Sequence, residues 1–210
     1  MAALIRLKQL AKLTTVIAAG VLSAQTDPRI FNMRGAENFR NGKIDASVAD
    51  FTRAIELDPE QEPHHWQRGI SYYYAGRFED GRRQFEHHRL VNPEDVENAV
   101  WHYLCYSRID GTAKARAALI PIHDDGRVPM MQIYEMFRGK ATPDGVLKAA
   151  GTSRDALFFA HLYIGLYYEA EGEAAKSREH ISLAAGAFSQ NHYMGDVARV
   201  HMRLRKPAKK

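Results

Sequence analysis

This sequence of 210 residues contains one cysteine, Cys105. A single thiol excludes a disulfide within the chain and a zinc site built on several cysteines. Because Cys105 lies in an apolar run, we expect it to be a small buried hydrophobic residue. The sequence also has no HExxH pattern, no glycine-rich loop that would cradle a phosphate, and no nucleophile elbow. We therefore predict no metal, no cofactor and no catalytic residue.

Acidic residues are missing from both ends of the chain. Of the 29 Lys and Arg residues, three lie in the first 24 positions and five in the last eight, and neither stretch contains Asp or Glu. The part between them has 21 basic and 25 acidic residues. A nucleic-acid-binding surface would be basic in the folded body, so we predict no nucleic-acid partner. A tail over 204–210 that touches an anionic surface is an alternative, and a solvated terminus is the simpler interpretation.

Long apolar runs are missing as well, since the main one, 13–24, has 12 residues. That is too short to span a bilayer, so we predict no stable membrane insertion. A basic stretch precedes the run and a small, polar junction follows it, which is the layout of a secretory signal. We expect 1–24 to be a signal peptide or targeting segment, and the protein to be exported, periplasmic or extracellular. Because Leu22 is large for a position three residues before a cut, an uncleaved anchor or import into an organelle is the alternative.

Three residue types recur in four pairs at an interval of 34. The pairs are Gly35 and Gly69, Gly42 and Gly76, Phe51 and Phe85, and Pro59 and Pro93. A glycine inside a helix costs about 1 kcal/mol relative to alanine, and it is tolerable where a second helix approaches closely. The second glycine can end a helix in the left-handed conformation, the phenylalanine fills the space between two helices, and the proline stops the second helix. Each unit is predicted to be a helix–turn–helix pair stacked on its neighbour.

The two units, 28–61 and 62–95, resemble the tetratricopeptide repeat (TPR), whose period is also 34 residues. In the first unit the family's motif positions hold Gly35, Ser47, Phe51, Ala54 and Pro59. In the second they hold Gly69, Tyr72, Gly81, Phe85 and Pro93, while His88 replaces the usual alanine and Trp66 stands one place late. The resemblance implies an all-α, TPR-type helix-turn-helix solenoid.

Beyond residue 95 the repeat pattern loosens. We predict a degenerate third repeat over 96–122, followed by two extra short helices, the second capped by Thr142. A late repeat over 155–189 restores the spacing, and 190–203 is predicted to be a C-terminal capping helix over the exposed final face of the solenoid. Together these units form a single helical domain over 28–203.

This arrangement also resembles the TPR lipoprotein family of Gram-negative envelopes (NlpI-like). The resemblance implies an envelope scaffold that brings murein hydrolases or a protease together, commonly as a dimer. The sequence departs from that family because no cysteine stands at the signal junction. No lipid can therefore be attached there, which puts membrane tethering in doubt.

Three consecutive tyrosines, 72–74, pose the main functional question of the sequence. Successive residues on a helix point about 100° apart, so the three rings cannot all face one core. The TPR resemblance assigns Tyr72 to the core and other positions of the first helices to a concave groove that binds a partner. The predicted groove residues are Asn32, Phe39, Arg40, Trp66, Ile70, Tyr73, Tyr74, Trp101 and Arg108.

These observations predict a non-enzymatic scaffold that binds another protein or peptide segment through the groove. Two alternatives are that the protein's own extra helices cover the groove, or that a second copy does so in a homodimer. An enzyme is the alternative from a different class, because the chain has 10 histidines. However, adjacent histidines on a helix diverge by about 100° and cannot share one metal ion from one face.

Overall fold

The computed structural model describes residues 26–205, and in this part of the chain every regular element is a helix. The α-helices are α1 (Pro28–Arg40), α2 (Ile44–Leu57), α3 (Trp66–Tyr74), α4 (Phe78–His88), α5 (Val96–Asp110), α6 (Thr112–Ala117), α7 (Met130–Phe137), α8 (Pro143–Ala150), α9 (Arg154–Ala170), α10 (Ala174–Ala185) and α11 (Tyr193–Leu204). A 3-10 helix, Pro59–His64, lies between α2 and α3. The predicted all-α class is confirmed.

Helices occupy each of the predicted units. The helices α1 and α2, α3 and α4, and α9 and α10 pack as pairs, and α5 packs against the short helix α6. The two extra helices are α7 and α8, and Thr142 caps the second: its Oγ1 accepts a hydrogen bond from the backbone N–H of Gly145 at 3.2 Å. The predicted targeting segment, 1–24, and the tail beyond 205 lie outside the described residues. None of the described helices is long and apolar enough to cross a membrane.

A glycine forms the turn within each of the first two pairs. Gly42 and Gly76 follow α1 and α3, and both have φ of 75°. Residues that carry a side chain rarely adopt this backbone conformation. Their backbone N–H groups donate to the carbonyls of Phe39, at 2.8 Å, and Tyr73, at 3.2 Å. Such bonds satisfy carbonyls that the end of a helix leaves unpaired. This is the role that the 34-residue pattern predicts for the second glycine.

Another glycine brings the two helices of each pair into close contact. A Cβ atom at Gly35 would lie 2.8 Å from the Phe51 ring, and one at Gly69 would lie 2.7 Å from the Phe85 ring. Real Cβ atoms do not approach other atoms so closely, and well-packed interiors leave no spare volume at such contacts. The phenylalanine therefore occupies the space that the missing side chain leaves.

Replacing Gly69 with alanine should destabilise the protein, although alanine is the better helix former. The added Cβ would overlap the ring of Phe85, which is 1% exposed and stacks on Trp101 with 6.4 Å between ring centroids. Overpacking costs about 1–3 kcal/mol, whereas the gain in helix propensity is about 1 kcal/mol. We expect a net loss of about 1 kcal/mol, and of at most about 2 kcal/mol, in the free energy of unfolding, measured by urea denaturation.

The substitution Gly145→Ala is the matched control. Gly145 is also helical, but a Cβ there would have no neighbour closer than the Thr142 hydroxyl at 3.5 Å. We expect unchanged or slightly higher stability, because only the gain in helix propensity acts. If both substitutions had the same effect, close packing at Gly69 would not be the reason for its glycine.

The last helix returns to the first. α11 packs against α10, as a capping helix would, and it also contacts α1. The Phe39 ring stacks on Tyr193 with 5.1 Å between centroids, and Arg40 Nε donates to Asp196 Oδ2 at 3.1 Å. Arg205, from the predicted basic tail, donates its Nε–H to an acid on α9 at 2.7 Å. α11 therefore covers more than the final face of the stack: it lies against the first helices of the N-terminal pairs.

Candidate binding pocket

The protein itself buries most of the predicted groove residues. Phe39, Ile70, Tyr73, Tyr74 and Trp101 are each at most 8% exposed. The helices that cover this face include α9 and α11, which contact α5 and α1 respectively. Of the interpretations open at the level of sequence, the structure matches the one in which the protein's own helices fill the groove.

The three consecutive tyrosines point in different directions, as helix geometry requires, and all three are buried. The Tyr73 hydroxyl donates to Glu169 Oε2 on α9 at 2.6 Å. The Tyr74 hydroxyl bonds to His201 Nδ1 on α11 at 3.0 Å. Tyr72 is 7% exposed. Tyr73 and Tyr74 therefore do not face an open groove, because α9 and α11 supply the partners that their buried hydroxyls need.

The polar groove residues have separate environments. Asn32 Nδ2 donates to Gln61 Oε1 at 3.0 Å, and the exposed Arg40 pairs with Asp196 at 3.1 Å. The exposed guanidinium of Arg108 lies over an aromatic ring of α4, 5.4 Å from its centroid. Arg40 and Arg108 line two separate surface pockets, and none of the three residues lines the pocket beside the two tryptophans.

That pocket lies between α3, α4, α5 and α11 and has a volume of about 250 Å³. It is lined by Trp66, Ile70, Phe85, His88, Asn92, Asp95, Glu97, Asn98, Trp101, Arg127 and Met194. Three of these, Trp66, Ile70 and Trp101, are predicted groove residues. The sequence-based prediction therefore locates one wall of the pocket, while most of its other predicted residues lie elsewhere.

Helical spacing brings the lining residues onto common faces. Trp66 and Ile70 are four apart on α3, and Asn98 and Trp101 are three apart on α5, so each pair lies on one side of its helix. Trp66 is half-buried because its ring meets Tyr193 of α11 edge to face, with 5.1 Å between centroids. The C-terminal helix thus closes one side of the pocket.

Backbone carbonyls hold two of the polar lining residues in place. His88 Nδ1 lies 2.8 Å from the carbonyl oxygen of Pro63, so this nitrogen carries the hydrogen and donates. His88 Nε2 lies 4.0 Å from Asp95 Oδ2. Asn98 Nδ2 donates to the carbonyl oxygen of Phe85 at 3.1 Å. These bonds fix the imidazole and the amide in single orientations.

One edge of the pocket consists of charged groups around Arg127. Its guanidinium contacts the carboxylates of Asp95 at 2.6 Å, Glu97 at 2.8 Å and Asp125 at 2.6 Å. Burial raises the pKa of Glu97, although the Tyr163 hydroxyl, 2.5 Å away, and Arg127 favour its ionised form. At Asp125 burial acts in the same direction, but hydrogen bonds from Arg127 and the backbone outweigh it and lower the pKa.

Sequence reasoning missed the polar half of the pocket. In the sequence His88 stands out as a replacement for the usual alanine of the repeat and as one of two adjacent histidines, and neither feature places it in a pocket. Asp95 is the N-cap of α5, and Glu97 and Asn98 lie in its first turn. The spacing of Asn98 to Trp101 is a signal that could have placed Asn98 on the same face. Arg127 carries no such signal, because it lies in a loop about 30 residues farther along the chain and reaches the pocket only through the tertiary fold.

The described residues offer no group of three or more His, Cys, Asp or Glu side chains that could hold a metal ion. Cys105 is fully buried, and burial raises the pKa of its thiol, as expected for a residue that acts as a small hydrophobe. No protein-family model matches this sequence.

Proposed function

We propose that this protein is a non-enzymatic scaffold that binds a segment of another protein, with the pocket between α3, α4, α5 and α11 as the point of contact. The observation that carries the proposal is the composition of the pocket wall. Both tryptophans of the chain, Trp66 and Trp101, line it together with fixed polar side chains. Aromatic rings combined with oriented polar groups dominate the binding energy of protein interfaces.

The proposed mechanism is geometric. Helices hold every lining residue except those from the loops that contribute Asn92, Asp95 and Arg127. A surface that is already ordered loses little conformational entropy when a partner binds, so more of the contact energy appears as affinity. The scaffold would therefore act by holding its partner in one position, without chemical change.

We also propose that the helix pairs are tetratricopeptide repeats and that the protein acts outside the cytoplasm, in a bacterial cell envelope. The contacts of Gly35 with Phe51 and of Gly69 with Phe85 support the first part, because they give the 34-residue spacing a packing reason. The second part depends on the signal-like sequence of 1–24.

Site-specific photo-crosslinking would test the scaffold proposal. A photoreactive amino acid at Asn92, an exposed position on the pocket rim, should cross-link a discrete protein in an extract of the source cells. The same group at Glu173, an exposed position on the turn before α10, is the control. The product should then form again between the two purified proteins. Identical products from both positions, or none from Asn92, would contradict the proposal.

A further inference from the structure

A buried polar atom in the pocket wall lacks a partner. Asn98 is 3% exposed and its Oδ1 atom has no hydrogen-bond partner among the described residues. Its Nδ2 group is already fixed by a backbone carbonyl, so the amide cannot turn to satisfy both ends. Leaving a buried acceptor unpaired is costly, and native proteins rarely do so without a reason. This oxygen is therefore suited to accept a hydrogen bond from a ligand.

The indole of Trp101 also has a buried polar atom without a partner. Its Nε1–H is buried and forms no hydrogen bond of proper geometry in the described part of the chain. It lies near the Tyr163 hydroxyl, but burial and the neighbouring Glu97 raise the pKa of Tyr163, which donates its own proton to Glu97. Two residues of the pocket wall therefore have a buried polar atom without a hydrogen-bond partner among the described residues: the acceptor Asn98 Oδ1 and the donor Trp101 Nε1–H.

The charges around the pocket favour a cationic ligand. Three carboxylates contact the single guanidinium of Arg127, so this cluster has more negative than positive groups. Two of them, Asp95 and Glu97, line the pocket itself, and their side chains are 14% and 18% exposed. Arg127 and His88 are the other titratable residues in the lining, so among the groups of fixed charge there the two carboxylates outnumber the one guanidinium. With Nδ1–H donating to a carbonyl, the Nε2 atom of His88 faces Asp95 as an acceptor when the ring is neutral.

The aromatic walls suit the same kind of ligand. Trp66, Phe85 and Trp101 line the pocket, and the last two stack with 6.4 Å between centroids. An aromatic face attracts a cation electrostatically, and this attraction strengthens when the cation is removed from water. Aromatic rings next to carboxylates and a free carbonyl oxygen are the groups that recognise an ammonium or guanidinium head on an aliphatic stem.

We propose that the pocket binds the side chain of a lysine or arginine from the partner's docked segment. This inference depends on the proposed scaffold function, and it specifies the chemistry of the residue that enters. The cationic head would lie near Asp95, Glu97 and Asn98 Oδ1. Its aliphatic stem would lie against the rings of Trp66 and Trp101.

Tryptophan fluorescence provides a direct test, because the only two tryptophans of the chain both line the pocket. The full-length protein is titrated with blocked pentapeptides that have lysine, arginine, norleucine or glutamate at the centre and glycine elsewhere. We expect the lysine or arginine peptide to bind about tenfold more tightly than the norleucine peptide, which has a similar shape without the charge. Butylammonium alone should bind more weakly than the lysine peptide, since it lacks the peptide groups.

Two variants that change charge but hardly change shape test the role of the carboxylates. Glu97→Gln and Asp95→Asn should each weaken binding of the basic peptide about tenfold, while asparagine keeps the N-cap function of Asp95 on α5. Glu173→Gln removes one exposed carboxylate away from the pocket and should leave binding unchanged. Circular dichroism at 222 nm would show that each variant is folded.

The outcomes separate this inference from the scaffold proposal. Equal binding of the lysine and norleucine peptides would overturn the cationic specificity and leave a pocket that binds a protein segment. Butylammonium binding as tightly as the lysine peptide would overturn the role of a peptide segment. No response to any peptide at millimolar concentration would also overturn the inference, while cross-linking from position 92 would still decide whether the scaffold proposal holds.

Discussion

Lowering the pH from 6.5 to 4 should remove several kcal/mol from the free energy of unfolding. Burial lowers the pKa of His65, His161 and His201 from 6.5 to about 4 in the folded protein. Between these values the unfolded chain binds more protons than the folded one, so the folded state loses stability as the pH falls. The contribution is fully present above about pH 6.5. It is at most on the order of 3 kcal/mol for each histidine, against a typical total of about 5–15 kcal/mol.

Urea denaturation at pH 7, 6, 5 and 4, followed by circular dichroism, would measure this effect. His201 is 3% exposed and bonds to the Tyr74 hydroxyl at 3.0 Å, so His201→Gln should flatten the pH dependence by about a third of the histidine effect. His64→Gln, at an exposed position beside His65, should change it much less, because burial is the main cause of the lowered pKa of His65 and the charge of His64 is the smallest one. A midpoint that stayed constant from pH 7 to pH 5 would mean that these histidines can accept protons in the folded state.

Replacing Tyr74 with alanine should cost about 3–5 kcal/mol of stability, the usual range for removing a large buried ring. Its ring centroid lies 5.7 Å from Phe39, 5.4 Å from Tyr73 and 6.2 Å from Trp101. Its hydroxyl also bonds to His201 of α11. The substitution would open a cavity between α1, α3 and α11, and the neighbouring helices can collapse into it only in part.

One further substitution separates the hydroxyl of Tyr74 from its ring, and another, at Tyr106, is the control. Tyr74→Phe keeps the ring but leaves buried His201 Nδ1 without its partner, for which we expect a loss of about 1–3 kcal/mol. Tyr106→Ala removes a tyrosine that is only half-buried, and we expect a loss of about 1 kcal/mol. If Tyr74→Ala were as stable as the natural sequence, α11 would not be seated against α3 in solution. The groove would then be open to a partner.

The expected loss of stability at Tyr74 limits which variants can be used to measure partner binding. A combined Trp66→Ala, Tyr73→Ala and Tyr74→Ala variant, the obvious choice from sequence, would remove rings that hold α9 and α11 in place. Loss of binding in such a variant would follow from loss of the fold. The isosteric changes at Asp95 and Glu97 avoid this ambiguity, because both residues are partly exposed and neither substitution removes packed atoms.

The sequence by itself was enough to predict the helices and how they pair. A 34-residue interval of glycine and phenylalanine specifies contacts between residues that are close along the chain, such as Gly69 with Phe85. Glycine at a turn acts through its own backbone, as Gly76 does, and threonine before a proline acts through its side-chain hydroxyl on the next turn of the chain, as Thr142 does. These effects are local, and so a local pattern contains the information that predicts them.

Only the tertiary structure decided which side chains surround the aromatic groove residues and which part of the groove stays open. Tyr73 and Tyr74 meet Glu169 and His201, which lie 96 and 127 residues farther along the chain. An amphipathic pattern shows that α11 needs an apolar surface to cover, but it does not show which one. That choice depends on the summed packing of all the helices, and it turned most of a predicted binding groove into core while leaving a pocket beside Trp66 and Trp101.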